Sequence, residues 1–194
     1  MNIFKILVLP LALFVASTSV ADASEATHEV GEEESIWSIG VDYGVPTEEI
    51  KELNGKSEDA VETGEHLEIP SSVTEEEKDL LARIIQAEAQ SEPYAGKVGV
   101  GTVVLNRVAD EQFPDSIHDV IYETAGGHYQ FSPVLDGSIN EPASERSEQA
   151  AREALAFDGQ GQGSVYFYNP VTADVHWNAT REETITLGDH VFSR

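Results

Sequence analysis

The stretch from Leu80 to Val108 constrains the fold more than any other part of the chain. It reads LLARIIQAEAQSEPYAGKVGVGTVVLNRV, with an interruption at Pro93. Four apolar residues of its first half share one face at helical spacing: Leu80, Leu81, Ile84 and Ile85. Because proline disfavours helix continuation, the pattern predicts a helix over 75–91 and a second helix after it. Together the two helices form a wall of a hydrophobic core.

Glu88 continues the apolar stripe. It lies four residues after Ile84 and three after Ile85, where the next apolar residue is expected. Burial disfavours an ionised carboxylate, so the pKa of such a side chain rises. A carboxyl group that keeps its proton near neutral pH can donate it to a leaving oxygen. Glu88 is therefore a candidate general acid; the alternatives are a half-exposed helix end or an ion pair with Arg83 or Arg107.

Acidic residues dominate the composition. The 194 residues include 36 Asp and Glu against 11 Lys and Arg, which gives a formal net charge of −25. Such a surface repels phosphate groups, which argues against nucleic acids and anionic membranes as partners. The chain has no cysteine, so disulfides and thiol catalysis are excluded.

The first 23 residues have the pattern of an export signal. A single lysine precedes an apolar stretch from Ile6 to Ala16, and Ala21-Asp22-Ala23 fits a small-x-small cleavage site. We expect residues 1–23 to be a signal peptide and the mature protein to be secreted, without membrane contact after cleavage. An uncleaved N-terminal anchor is the alternative.

Residues 27–70 predict a strand, two helices and a strand. Ser35 is placed to cap a helix over 36–43, and Gly44 is placed to end it. Thr47 is expected to cap the second helix, which stops at an Asn-Gly pair. The segment HLEIP then alternates as a final strand.

This segment resembles a LysM domain over its whole length. The residues that carry the resemblance are Val30-Gly31, Ile36 to Ile39, Tyr43 to Val45, Ile50, Leu53-Asn54 and Gly64 to Pro70. The resemblance implies binding of the N-acetylglucosamine-containing glycan of peptidoglycan or chitin. Three glutamates at 32–34 depart from the commoner Gly-Asp-Thr turn and add negative charge beside the implied groove. Trp37 could stack on a sugar or belong to the core.

A second unit is expected over 71–194. Thr74 and Glu77 have the spacing of a capping box, so a helix starts directly after a short linker. The resemblance of this unit rests on six motifs in order: Glu88-Ala89 with Glu92-Pro93, Leu105 to Val108, FPDSIHDVIYE, YQFSPVLDGSIN, AAREAL with YFYNP, and GDHVF. They resemble the SleB and CwlJ family of spore cortex-lytic cell wall hydrolases. One departure is Gln90-Ser91, where the family commonly has Arg-Gly.

The two resemblances imply an α+β chain: a small βααβ LysM module, then a mainly helical lysozyme-like catalytic domain with a few short strands. They imply cleavage between N-acetylmuramic acid and N-acetylglucosamine by a lytic transglycosylase. In that reaction Glu88 is acid and then base, and the muramoyl 6-hydroxyl is the nucleophile. A second carboxylate is then not required, although Glu92, Asp136 and Glu141 remain open as candidates.

Further candidate site residues come from the same motifs. Ser132 is expected to orient Glu88 or a substrate oxygen, and Gln130 to bind substrate. Tyr166, Tyr168 and Asn169 lie on an alternating segment that could line a glycan groove.

No metal or cofactor is expected. The six histidines lack the spacing of the common zinc motifs, and neither a phosphate-binding loop nor a nucleophilic-serine elbow is present. We expect a secreted enzyme associated with the cell wall, spore cortex or coat, with peptidoglycan glycan strands as its partner. The alternatives are a non-catalytic LysM wall-binding protein and a cell wall amidase.

Overall fold

The computed structural model describes residues 26–159, 161–172 and 180–194. The predicted signal peptide at 1–23 lies outside the described residues. Within the described ranges, no helix has the length and apolar character needed to cross a bilayer.

The first unit has the predicted βααβ order. Strand β1 (Ala26–Glu29) pairs antiparallel with β2 (His66–Ile69), and helices α1 (Ile36–Tyr43) and α2 (Thr47–Leu53) lie between them in sequence. Its buried core consists of Val30, Ile36, Ile39, Val45, Ile50, Leu67 and Ile69.

Local signals account for both ends of α1. The Ser35 hydroxyl accepts a hydrogen bond from the backbone N–H of Ser38, and the Ser38 hydroxyl accepts one from the backbone N–H of Ser35. Gly44 ends the helix with φ +62°, a left-handed conformation that glycine adopts at little cost. Both predicted caps are therefore confirmed.

The predicted cap at Thr47 is wrong. Pro46 occupies the capping position and makes no side-chain capping bond, so Thr47 is the first helical residue. Its hydroxyl instead donates to the backbone oxygen of Ala156 in the second unit, at 3.1 Å. The Thr47 hydroxyl therefore makes a contact between the units, whereas the local sequence pattern predicts that it caps the helix.

The second unit is mainly helical, as predicted. Its helices are α3 (Glu75–Glu88), α4 (Tyr94–Ala109), α5 (Ile117–Ile121), α6 (Ser132–Asp136) and α7 (Glu145–Ala156). A short hairpin joins β3 (Thr124–Ala125) to β4 (His128–Tyr129). The strands β5 (Tyr166–Tyr168), β6 (Glu183–Leu187) and β7 (His190–Ser193) form an antiparallel sheet with β7 in the centre.

Helices α3, α4 and α7 pack on one another around the main core. The predicted stripe of α3 is buried as expected, and Phe192 of β7 is also buried in this core. The capping box of Thr74 and Glu77 is present. Helix α3 ends at Glu88, three residues before the predicted end, so Glu88 stands at the helix terminus.

The two units contact each other through α1 and α7. The Trp37 ring lies 4.2 Å from the Phe157 ring between centroids, and Lys78 Nζ donates to the backbone oxygen of Tyr43 at 2.6 Å. Trp37 is 37% exposed, so it is not part of the core of its own unit. It packs on the neighbouring unit instead.

Candidate active site

A cleft of about 410 Å³ opens beside the C-terminal end of α3. Eight residues line it: Glu88, Arg107, Tyr129, Gln130, Phe131, Ser132, Tyr166 and Phe167. They come from α3, α4, the β4–α6 segment and β5. The structure thus brings together four of the six predicted site residues, although they are far apart in sequence.

Glu88 is partly buried in this cleft. The pKa of its carboxyl group is raised to about 7, mainly by burial; the negative charge of Asp136 contributes to the rise, and the positive charge of Arg107 opposes it. No described residue forms a hydrogen bond or ion pair with this carboxyl group. A pKa of about 7 leaves roughly half of the Glu88 carboxyl groups protonated at neutral pH, and this proton can be donated because no described side chain holds it.

Arg107 is buried near the end of α4 and lines the same cleft. Its Nε donates to the backbone oxygen of Val165 at 2.8 Å. Its guanidinium also lies over three aromatic rings, at 5.2, 5.1 and 5.5 Å from the centroids of Phe113, Phe131 and Tyr166. Held in this way, Arg107 makes no ion pair with Glu88 and acts on it through space.

Gln130 and Ser132 flank a buried residue. Phe131 is only 2% exposed and belongs to the main core, whereas its two neighbours are exposed. The buried ring anchors the segment, and Gln130 and Ser132 line the cleft that Glu88 lines. Ser132 is the first residue of α6.

Strand β5 contributes Tyr166 and Phe167 to the cleft, whereas Tyr168 and Asn169 are not among its lining residues. The Arg181 guanidinium stacks 3.6 Å from the centre of the Tyr166 ring. Glycan contacts by Tyr168 and Asn169 stay a prediction.

Four lining residues were not predicted: Arg107, Tyr129, Phe131 and Phe167. Arg107 had a signal, because it lies seven residues after Val100 and three after Val104 on a buried helical stripe. The argument that identified Glu88 applies to it equally. Tyr129, which is 42% exposed, had no comparable local signal.

The three candidate second carboxylates differ in position. Asp136 is exposed, and hydrogen bonds from Ser138 lower its pKa, so its negative charge persists near Glu88. The side chain of Glu92 is buried and accepts a hydrogen bond from the backbone N–H of Asp189 at 3.0 Å, which supports a structural role. Among the described contacts, Glu92 makes no ion pair with Arg107. Glu141 is exposed and does not line the cleft.

Other cavities and side-chain clusters in the described structure are weaker candidates for a catalytic site. An apolar cavity of about 170 Å³ beside α4 has no ionisable side chain in its lining. Among the described residues, no group of three or more His, Asp and Glu side chains could hold a metal ion; His176 lies outside them. The cleft at Glu88 is thus the best candidate for acid–base chemistry.

Comparison with protein families gives two matches. Residues 91–193 match the family described as Cell Wall Hydrolase, and residues 28–70 match the LysM domain. Glu88 lies just before the first of these ranges.

Curated relatives and solved structures agree with these matches. A spore cortex-lytic enzyme of Halalkalibacterium halodurans is 33% identical over 124 residues, which cover 64% of this chain and 36% of the relative. One from Bacillus cereus is 32% identical over 127 residues, covering 65% and 47%. The chain thus spans less than half the length of these relatives.

Among solved structures, the catalytic domain of the germination-specific lytic transglycosylase SleB from Bacillus anthracis is 30% identical, with a TM-score of 0.57. The similarity covers 65% of this chain and all of that domain. The catalytic domain of SleB from Bacillus cereus is 31% identical with a TM-score of 0.56, and the match covers 64% of this chain and 94% of that domain.

Proposed function

Since the chain belongs to the cell wall hydrolase family, we propose that it degrades peptidoglycan by cleaving the bond between N-acetylmuramic acid and N-acetylglucosamine. One observation carries the proposal: the partly buried carboxyl group of Glu88, whose pKa is raised to about 7, lines an open cleft without a hydrogen-bond partner among the described residues. The names of the similar proteins, spore cortex-lytic enzyme and lytic transglycosylase, support the same chemistry.

In the proposed reaction, Glu88 first acts as a general acid. It gives its proton to the glycosidic oxygen, and the bond from that oxygen to the muramoyl anomeric carbon breaks. The muramoyl 6-hydroxyl then bonds to the anomeric carbon and passes its proton to the Glu88 carboxylate. The products are an anhydro-muramoyl end and a free N-acetylglucosamine hydroxyl. Glu88 is regenerated, and no water is consumed.

The other cleft residues have supporting roles in this proposal. Arg107 stabilises the carboxylate that Glu88 becomes after donation, because an opposite charge favours the ionised form. Ser132 orients Glu88 or a substrate oxygen, and Gln130 and Tyr166 bind the glycan. Ser132 and Gln130 are exposed beside the buried Phe131, so their polar groups are accessible to a sugar.

The LysM unit at 27–70 holds the glycan while the unit at 71–194 cuts it. Linking the two raises the local concentration of substrate at the cleft. We place the protein at the cell wall or spore cortex, after export directed by residues 1–23.

The products of peptidoglycan digestion test the proposal. Mass spectrometry of a digest should show anhydro-muramoyl ends, and Glu88→Gln should lower kcat by about 10²–10⁴-fold while wall binding persists. Reducing muramic ends would indicate hydrolysis, and free peptides an amidase. Intact wall with bound protein would indicate a binding protein without catalysis. Full activity of the variant would overturn the role of Glu88.

A further inference from the structure

Lys97 is a buried lysine in the first turn of α4, and only 4% of its surface is exposed. Its Nζ donates to the backbone oxygen of Ala89 at 2.5 Å and to that of Gln90 at 3.2 Å. No carboxylate among the described residues pairs with it. A buried ammonium group is rare unless hydrogen bonds or an opposite charge offset its loss of hydration. Here the two carbonyl groups provide the hydrogen bonds.

The two carbonyl groups belong to the residues that follow Glu88. The last carbonyls of a helix have no partner within the helix and need one from elsewhere. Glycine in a left-handed conformation often arranges this, but Ala89 at the end of α3 has φ −127°. The Ala89 carbonyl accepts one hydrogen bond from the backbone N–H of Glu92 at 3.1 Å. From the neighbouring helix, Lys97 adds a second donor to this carbonyl and a donor to the carbonyl of Gln90.

We propose that Lys97 is a positioning residue for Glu88: by holding the carbonyls of Ala89 and Gln90, it fixes the terminus of α3 on which Glu88 stands. The inference rests on the proposed function, because it concerns the same carboxyl group. Without the ammonium group, the last turn of α3 loosens and the Glu88 carboxyl group becomes more accessible to water.

The effect is exerted through the backbone and not through the charge of Lys97. The charged groups acting on Glu88 are Asp136 of α6 and Arg107 of α4. Those acting on Lys97 are Arg146 of α7 and Glu92, which precedes α4. Lys97 therefore affects Glu88 through the position of the backbone that connects them, so its loss should change the exposure and the pKa of Glu88.

The test compares Lys97→Met with a matched lysine variant. Lys97→Met should lower kcat by about tenfold or more and change KM less than about twofold, because the loss affects the transition state. The alkaline limb of its pH profile should move to lower pH, because a hydrated Glu88 loses its proton more easily. Lys78→Met removes a similar bond, to the backbone oxygen of Tyr43, and should leave kcat on short soluble glycans and the pH limb unchanged.

Lys97→Gln provides a second variant. Its side chain retains N–H donors but is one bond shorter and cannot reach both carbonyls, so kcat should fall by about threefold. The proposal would be overturned if the Lys97→Met variant is folded and has the same kcat and the same alkaline limb of the pH profile as the wild-type protein. If that variant does not fold, unchanged values in Lys97→Gln would do so.

Failure of the proposed function would be recognised separately. In that case the wild-type protein itself would release no anhydro-muramoyl ends. The pKa of Glu88, measured by NMR on protein with labelled glutamate, would then decide. A lower pKa in the Lys97 variants supports positioning, and an unchanged pKa refutes it.

Discussion

At the scale of single residues, the Glu88 carboxyl group and the Arg107 guanidinium share a cleft without forming an ion pair. Burial is the largest influence on Glu88 and exceeds the opposing effect of Arg107. A direct ion pair would stabilise the carboxylate and prevent proton donation at neutral pH. Because Arg107 is held by Val165 and three aromatic rings, it lies near the carboxyl group without bonding to it.

The raised pKa of Glu88 has a consequence for stability. Its value is about 7 in the folded protein against 4.5 as the reference. Between these values the folded state holds a proton that the unfolded state releases, so stability falls as pH rises through this window. The Glu88→Gln variant does not lose stability in this way, because glutamine does not titrate. Its free energy of unfolding relative to wild type should increase by about 2–3 kcal/mol between acidic and alkaline pH.

Urea denaturation at about pH 5.5 and about pH 8.5 measures this difference, since most of the window lies between these values. Glu141→Gln removes an exposed negative charge outside the cleft and controls for the change in net charge. A Glu88→Gln variant that gains no relative stability at the higher pH would show that Glu88 is ionised and hydrated in the folded protein.

Asp136 gives a second prediction at this scale. Its negative charge raises the pKa of Glu88, so Asp136→Asn should lower that pKa. Activity that requires protonated Glu88 should then decline at a lower pH than in wild type. Asp119→Asn, another exposed aspartate, controls for the loss of one charge because Asp119 does not act on Glu88. If the alkaline limbs of the pH profiles of wild type and Asp136→Asn coincide, Asp136 does not raise the pKa of Glu88.

At the scale of elements, helix α4 contains several glycines, although glycine destabilises a helix. Glycine costs a helix roughly 1 kcal/mol relative to alanine. A Cβ atom at Gly101 would lie 2.9 Å from Ala154 Cβ and 2.9 Å from Ile85 Cδ1. The glycine therefore lets α4 approach α3 and α7 closely, and this packing supports the end of α3 that carries Glu88.

We expect Gly101→Ala to destabilise the protein by about 1–3 kcal/mol, although alanine is the better helix former. Chemical denaturation measures the loss. In the double variant with Ala154→Gly, one of the two close contacts is removed, so part of the loss should be recovered beyond additivity. A stabilising Gly101→Ala would mean that the helices can separate at no cost.

At the scale of the whole molecule, the contact between α1 and α7 joins the LysM unit to the cell wall hydrolase unit. The interface includes the aromatic pair of Trp37 and Phe157 and the hydrogen bond from Thr47 to Ala156. This arrangement is more defined than a flexible tether, because side chains of one unit bond to the backbone of the other.

Trp37→Ala should weaken this coupling by about 1 kcal/mol or more, since an aromatic pair and its buried area are lost. Calorimetry should show the unfolding of the two units separating, and the cleavage of insoluble peptidoglycan should fall more than that of short soluble glycans. Leu53→Ala is a matched control, because Leu53 has the same 37% exposure and lies on α2, which packs mainly on α1 and β2. Equal behaviour of the two variants would contradict a role of Trp37 in docking.

Local chemistry made much of this protein predictable from its sequence. The caps at Ser35, Gly44 and Thr74 depend on neighbours within a few residues, and the apolar stripe of α3 depends on helical period alone. The same period identified Glu88 as a carboxylate on a buried face. It would have identified Arg107 if applied to α4.

Tertiary structure decided which distant residues meet. The sequence alone predicted Tyr166 and Tyr168 as equivalent, but only Tyr166 lines the cleft, together with Tyr129. Thr47 and Trp37 lie in the contact between the units, which no local pattern encodes. The physical reason is that periodicity and capping depend on sequence neighbours, whereas a cleft or an interface depends on how separate elements pack.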